Sequence, residues 1–283
     1  MTKRALLLTV VALGLLSGCG RVPTPLAPQI GGSIGMPHRG VLTGASELPR
    51  EGEGYRWLVR EGRDDRHYGI PRFVAAIERA ASKVAKERPG GILGIADLST
   101  RNGGGPLLPH LSHRTGRDAD LLLYLVTLEG APVESPGFIS VGADGLAWDD
   151  KGKRFLRFDV ERQWLLVKTL VEDPEARIQW VFANHNVRAL LVDWARARGE
   201  KPETIVRAMD VMLEPKPGGA HDDHIHIRTA CTPAEVISGC ELTGPKREWI
   251  DSQDQWSFEV PPSDDELVAG LFKPIGDARS ASR

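Results

Sequence analysis

Apolar side chains recur at helical spacing from Pro71 to about Arg88, where Phe73, Val74, Ile77, Ala81, Val84 and Ala85 share one face. Pro71 suits the first turn of such a helix, because its missing N–H has no partner to lose there, and Pro89-Gly90 stops it. A strand is expected over Ile92 to Leu98. Beyond the glycine-rich loop Asn102 to Pro106, the unbroken apolar run Leu121 to Val126 reads as one strand buried on both faces. Trp164, Leu165, Lys168 and Val171 suggest another helix and Ile178 to Ala183 another strand, with Asp173-Pro174 breaking the chain between them. Helical patterns return over Val187 to Arg198, ended by Gly199, and over Glu203 to Leu213. The last regular element is a strand around His224 to Arg228. Strands and helices mix without regular alternation, which predicts an α+β domain rather than a doubly wound parallel sheet.

The N-terminus follows a different pattern. Lys3 and Arg4 precede an uncharged run from Ala5 to Leu16, a basic leader and an apolar stretch too short to span a bilayer with ordinary flanks, so residues 1–19 read as an export signal. The run ends in Leu16-Ser17-Gly18-Cys19, which resembles a bacterial lipobox with Cys19 as the lipidated residue; the alternative is a cleaved secretory signal with an incidental cysteine. Residues 20–50, rich in Pro and Gly, suit a tether. The folded body is expected over 51–245, and 246–283 as a partly disordered C-terminal extension. With Cys19 assigned to lipid, Cys231 and Cys240 remain as a local pair. They are either a disulfide, worth about 2–3 kcal/mol by chain entropy and at home in an oxidising periplasm, or two buried thiols.

Composition narrows the class. A hydrophobic share of 41% and a charged share of 26% are ordinary for a globular domain, and a net charge of -2 without a basic stripe argues against nucleic acid as a partner. Five of the eight histidines fall in two clusters, His110 and His113 ahead of Asp118 and Asp120, and His221, His224 and His226. Imidazole nitrogens and a carboxylate oxygen are what zinc binds, and a catalytic zinc site needs three protein ligands. Period-two alternation puts His224, His226 and Arg228 on one face of the last strand, with Ile225 and Ile227 on the other. The same parity groups Asp118 with Asp120, while Gly116 permits the turn that separates them from His113. Asp118 either accepts a hydrogen bond from a ligand or only marks strand entry. His38, His67 and His185 stand apart, although His67 and Tyr68 precede Gly69 in a loop within reach of a cleft.

The segment Ser112-His113-Arg114-Thr115-Gly116-Arg117-Asp118-Ala119-Asp120-Leu121, with His110 before it, and His221-x-x-His224-x-His226 followed by Cys231 and Cys240, resembles the penicillin-insensitive murein endopeptidases. These belong to a wider group of zinc peptidases that includes the lysostaphin-type enzymes and the D-Ala-D-Ala metallopeptidases. The likeness runs from about Gly52 to Cys240. It implies an antiparallel sheet core flanked by helices in a single zinc-peptidase domain. It further implies zinc held by His113, Asp120 and His226, with His224 as catalytic histidine and His221 and His110 supporting it; from their own places in the sequence, Asp118 and Tyr68 are expected around the site or the substrate. The implied reaction is hydrolysis of D-alanyl–meso-diaminopimelyl cross-links in peptidoglycan. The lipobox is a departure from the soluble periplasmic form of the family, and with Gly20 after Cys19 it leads to an expected lipid anchor on the periplasmic side, in the outer membrane. Two other readings stay open: a zinc D,D-carboxypeptidase or dipeptidase on peptidoglycan precursors, and a non-catalytic peptidoglycan-binding lipoprotein. Arg114 and Arg117 stand where the family pattern leads one to expect uncharged residues, and Asp222-Asp223 add negative charge.

Overall fold

The computed structural model describes residues 32–60, 65–105, 110–215, 221–242, 244, 245 and 247–251. The expected lipobox, with Cys19, lies outside them. One compact unit ends at Pro245, and within the next only a short helix, Glu248–Asp251, is described.

The first unit opens with a hairpin, β1 (Gly32–Met36) and β2 (Arg39–Thr43), then β3 (Ser46–Glu47), β4 (Glu51–Gly52), β5 (Tyr55–Trp57) and β6 (Tyr68–Gly69). The expected tether of residues 20–50 is therefore corrected over its described part. Leu42 and Leu48 are 2% and 0% exposed, and each side chain so buried contributes about 1.5–3 kcal/mol. The run looked like a linker because its strands are short and its apolar side chains few. Gly40 has no room for a side chain, since a Cβ there would meet the Ile34 carbonyl oxygen at 2.1 Å and Thr115 Cγ2 at 2.5 Å.

Helix α1 (Pro71–Glu87) buries Phe73, Val74, Ala76, Ile77, Ala80, Ala81 and Val84, the face its periodicity marks. It leads to β7 (Leu93–Ile95), shorter than the strand expected over Ile92 to Leu98. The apolar run expected as one strand is two, β8 (Asp118–Leu122) and β9 (Leu125–Val126), in different sheets. Tyr124 is the hinge: its N–H donates to Gln163 Oε1 at 3.1 Å instead of to a strand. β9 pairs with β10 (Pro132–Val133) and with β12 (Arg154–Phe158), which pairs in turn with β11 (Leu146–Asp149). Asp159 then caps α2 (Val160–Glu172) through the Arg162 N–H at 3.2 Å.

β13 (Ile178–Phe182) precedes α3 (His185–Ala197) and α4 (Pro202–Val211). The expected helix to Leu213 stops at Val211, because Met212–Leu213 forms β14 alongside β13. The chain closes with β15 (His224–Thr229) and the short helix α5 (Pro233–Ile237). The main sheet has the order β14-β13-β15-β8-β7-β5-β4, antiparallel except for the β13–β14 and β5–β7 pairs. Helix α2 packs against α1, α3 and α4. This is an α+β fold with a mostly antiparallel sheet.

Cys231 and Cys240 form a disulfide just past β15. Against it lies Arg117, 0% exposed, whose Nη1 donates to Cys231 Sγ at 3.0 Å and whose Nη2 donates to the carbonyls of Gly35 and Glu241 at 3.3 and 3.2 Å. Burial brings its pKa down to about 10, still far above neutrality. Arg117 alternates with Asp118 along the strand, so its charge points away from the acidic face and ties the hairpin to the disulfide loop.

Candidate active site

Strand register brings the two sequence clusters together. β8 and β15 are antiparallel neighbours, with Asp120 opposite His226 and Asp118 opposite Arg228. Opposed residues in such a pair share a face, while Ile225 and Ile227, both 0% exposed, occupy the other. His226 Nδ1 lies 3.1 Å from Asp120 Oδ1, and its Nε2 lies 2.8 Å from Asp118 Oδ1. Arg228 Nε donates to that same Asp118 oxygen at 2.6 Å. Burial pushes the His226 imidazole down, but its hydrogen bond to Asp118 and the adjacent negative charge of Asp120 outweigh this and raise its pKa to about 9.

The remaining histidines arrive on loops. His113 has φ +66°, in the left-handed region that a non-glycine residue occupies at a cost of order 1–3 kcal/mol. Two anchors hold it. Ser99 Oγ donates to the His113 carbonyl at 2.6 Å and accepts from the Gly116 N–H at 2.8 Å, while His113 Nδ1 donates to the Leu98 carbonyl at 3.2 Å. That leaves Nε2 facing Asp120 Oδ1 at 3.3 Å. Gly116 makes the turn at φ +71°, and a Cβ there would come within 3.0 Å of both Leu42 methyls and the Ile70 nitrogen. His110 is held by Asp97, Nε2 to Oδ2 at 2.6 Å, so its Nδ1 lies 3.5 Å from Asp120 Oδ2.

At the end of β15, His224 Nδ1 meets Asp223 Oδ1 at 2.6 Å and its Nε2 lies 3.7 Å from Asp120 Oδ1. His221, also at positive φ, stands 4.8 Å from His224 ring to ring; burial, then the neighbouring His224 and His226, lower its pKa to about 4. It is neutral at physiological pH.

Asp120 is the hub of this arrangement. Its side chain is 0% exposed, and neither of its oxygens nor His113 Nε2 has a hydrogen-bond partner among the described residues. An unsatisfied buried polar group costs about 1–3 kcal/mol. Burial opposes ionisation of Asp120, but His113 and His226 prevail and hold its carboxyl well below the ordinary range. Bare acceptors that point at a shared space suit a cation. The donor atoms of His110, His113 and Asp120 lie within 4.8 Å of one another, and His226 Nδ1 adjoins the same carboxylate.

Of the residues singled out in the sequence, His110, His113, Asp120, His221, His224 and His226 converge, and Asp118 sits behind His226. Tyr68 does not join them. Its hydroxyl lies 3.2 Å from Glu47 Oε2 on the β3–β6 ladder, and its backbone pairs with Ser99. Asp97, Ser99 and Phe138 were missed, and Asp223 was noted only as added charge. The signal for Asp97 was present: an acid inside an otherwise apolar run is buried with partners or is out of place. Asp97 is 0% exposed and faces His110, Arg60 and Arg66, and although burial opposes it, His110 and Arg60 lower its pKa to about 2.

The family model described as penicillin-insensitive murein endopeptidase matches residues 33–260. A protein of that name from Escherichia coli K12 is 33% identical over 250 residues, covering 84% of this chain and 80% of its own length. Its namesake from Haemophilus influenzae is 28% identical over 246 residues, 85% of this chain and 77% of that protein. For the Klebsiella pneumoniae 342 protein of the same name the figures are 28% over 267 residues and 89% of each chain. With both histidine clusters gathered round one buried carboxylate and the match spanning most of the sequence, the chain belongs to the penicillin-insensitive murein endopeptidase family and is a hydrolase of peptide bonds.

Proposed function

We propose that this protein is a zinc-dependent murein endopeptidase that hydrolyses D-alanyl–meso-diaminopimelyl cross-links in the periplasm, held at the outer membrane by a lipid on Cys19. The observation that carries the metal site is Asp120, a fully buried carboxylate with no hydrogen-bond partner among the described residues, faced by imidazole nitrogens from one loop and one strand. His113 Nε2, Asp120 and His226 Nδ1 are the zinc ligands in this reading, with His110 Nδ1 a further nitrogen at the same carboxylate. Two imidazole nitrogens and one carboxylate oxygen are a three-ligand set that a catalytic zinc accepts. Zinc so held supplies a Lewis acid that polarises a carbonyl and brings the pKa of water towards about 7.

The protein's own groups do the rest. Leu98, Asp97 and Asp118 each engage one ring nitrogen of His113, His110 and His226, which leaves the other nitrogen of each ring as a donor. His224, oriented by Asp223, offers Nε2 beside the cluster, where it takes a proton from water or hydrogen-bonds a developing oxyanion. His221 stays neutral beside it and adds no charge to compete. No serine nucleophile is needed, so β-lactams, which acylate serine, leave the activity intact.

The export reading rests on Lys3, Arg4, the apolar run to Leu16 and Cys19, and murein is the substrate named for the relatives. No helix among the described residues is long and apolar enough to cross a membrane. The deciding experiment is mass spectrometry of muropeptides from purified sacculi. Conversion of cross-linked dimers to monomers, abolished by a chelator and restored by zinc, is expected; intact dimers after prolonged incubation with the zinc-loaded protein would refute the reading.

A further inference from the structure

The mouth of the site carries a fixed cation to which the proposed reaction gives no task. Arg60 Nη2 pairs with Asp97 Oδ1, and the other oxygen of Asp97 holds His110 Nε2 at 2.6 Å. The Arg60 guanidinium carbon lies 5.1 Å from the Phe138 ring centre, and that ring meets His224 edge-on at 5.2 Å. Arg60 therefore stands one group away from His110 on one side and one group away from His224 on the other. Its side chain is 23% exposed, while Asp97 is wholly buried.

Neutralising Asp97 does not require Arg60, because His110 and Arg66 also face that carboxylate, Arg66 Nη1 at 3.7 Å. Nor does Asp97 exhaust Arg60. A guanidinium carries five N–H donors in a fixed plane, and the Arg60 side chain remains partly open to solvent while it holds Asp97. The pocket that Arg60 helps to line is also walled by Arg50, Trp57, Arg66 and His67. Burial keeps His67 below its ordinary value, against the opposing pull of Glu47, so positive charge in that wall at neutral pH comes from arginine. A partly exposed guanidinium with a spare in-plane donor, held rigid by an ion pair and an aromatic face, matches a carboxylate in geometry and charge.

We propose that Arg60 is a specificity-determining residue that receives a carboxylate of the peptide substrate located beside the scissile bond. This rests on the peptidase reading of the adjoining cluster. It assigns to Arg60 the choice between an acidic substrate and its neutral amide.

The test uses the zinc-loaded protein and two synthetic cross-linked peptides, one with a free carboxylate on the residue after the scissile bond and one with that group amidated. Wild type is expected to favour the acid in kcat/KM by about 10- to 100-fold, the range of one charge-assisted hydrogen bond. In Arg60→Gln the ratio collapses towards one, and in Arg60→Lys, which keeps the charge but loses the fork, it is intermediate. A ratio preserved in Arg60→Gln while both rates fall together would show that Arg60 acts only through Asp97 and His110, and would overturn the proposal. If wild type cleaves neither peptide, the murein reading fails separately, and calorimetric binding of the same two peptides still decides Arg60: a preference for the acid lost in Arg60→Gln supports it, and equal affinities overturn it.

Discussion

His226 and His113 reach the same carboxylate by opposite means. His226 stands on β15, where its position opposite Asp120 follows from pleat and register, and a chain of hydrogen bonds along the sheet maintains both. His113 sits on a loop at φ +66°, and Ser99, Leu98 and Asp118 must hold it there. The strand half of the site is correct because the sheet is correct. The loop half is correct only because side chains and carbonyls from elsewhere override the local preference of the backbone, at a cost of order 1–3 kcal/mol for the strained residue. Precision by register needs few helpers, whereas precision in a loop must be built contact by contact.

Substitutions can break or sharpen this contrast. The largest effect is expected on the strand side: His226→Ala removes a donor and exposes Asp120 to an unbalanced charge, so bound zinc, read by atomic absorption after dialysis, and hydrolysis are both lost. Retention of stoichiometric zinc in that variant would remove His226 from the ligand set. Next, His224→Ala is expected to keep the metal and lower kcat by about 10²–10⁴-fold, the usual contribution of a positioned acid or base. Loss of zinc there would mean that His224 is a ligand and not the proton carrier.

Behind the ligands, Asp118→Asn and Asp97→Asn compare the halves directly. Each replaces the carboxylate that engages a histidine, and each is expected to weaken zinc by about 10–100-fold in chelator competition. The contrast predicts that Asp97→Asn also loosens the His110 loop, seen as faster amide exchange, while Asp118→Asn leaves β15 protected. Equal loosening would erase the distinction.

Smaller still, Ser99→Ala leaves the His113 carbonyl and the Gly116 N–H without their partner and is expected to cost about 1–3 kcal/mol in denaturant unfolding. An unchanged midpoint would show that the loop holds itself.

The smallest effect concerns Glu235, on α5. Burial raises its pKa, but Arg72, paired with it at 2.8 Å, outweighs this and holds it below the ordinary value. A lowered carboxylate pKa stabilises the fold fully above the unfolded value of about 4.3, and the gain disappears as pH falls through the folded one. The melting temperatures of wild type and Glu235→Gln should differ at pH 7, and the gap should narrow as the pH is lowered below the unfolded value. A constant gap would refute the linkage.

Period alone showed that Asp118 and Asp120 share a face, that His224, His226 and Arg228 share another, and that Phe73, Val74 and Ile77 point inward, because a regular backbone repeats its side-chain directions. Helix limits were readable where proline or glycine enforces them, as at Pro71. The boundary between β8 and β9 was not, since Leu121 to Val126 is apolar throughout and only Gln163, from a helix 39 residues on, takes the Tyr124 N–H out of the strand. The hairpin of β1 and β2 was hidden for a related reason: three glycines and a few apolar residues resemble a tether until Thr115 packs against Gly40.

By itself the sequence determined which residue types could bind a metal and which of them must lie side by side on a strand, for those are properties of composition and local periodicity. Only the tertiary structure decided that Asp97 grips His110, that Arg117 turns to the disulfide and away from the cluster, that the Tyr68 hydroxyl meets Glu47, and that Arg60 lies between Asp97 and Phe138. Each of these depends on the pairing of distant segments, and a chain's local preferences carry no information about which distant neighbour will satisfy a buried charge.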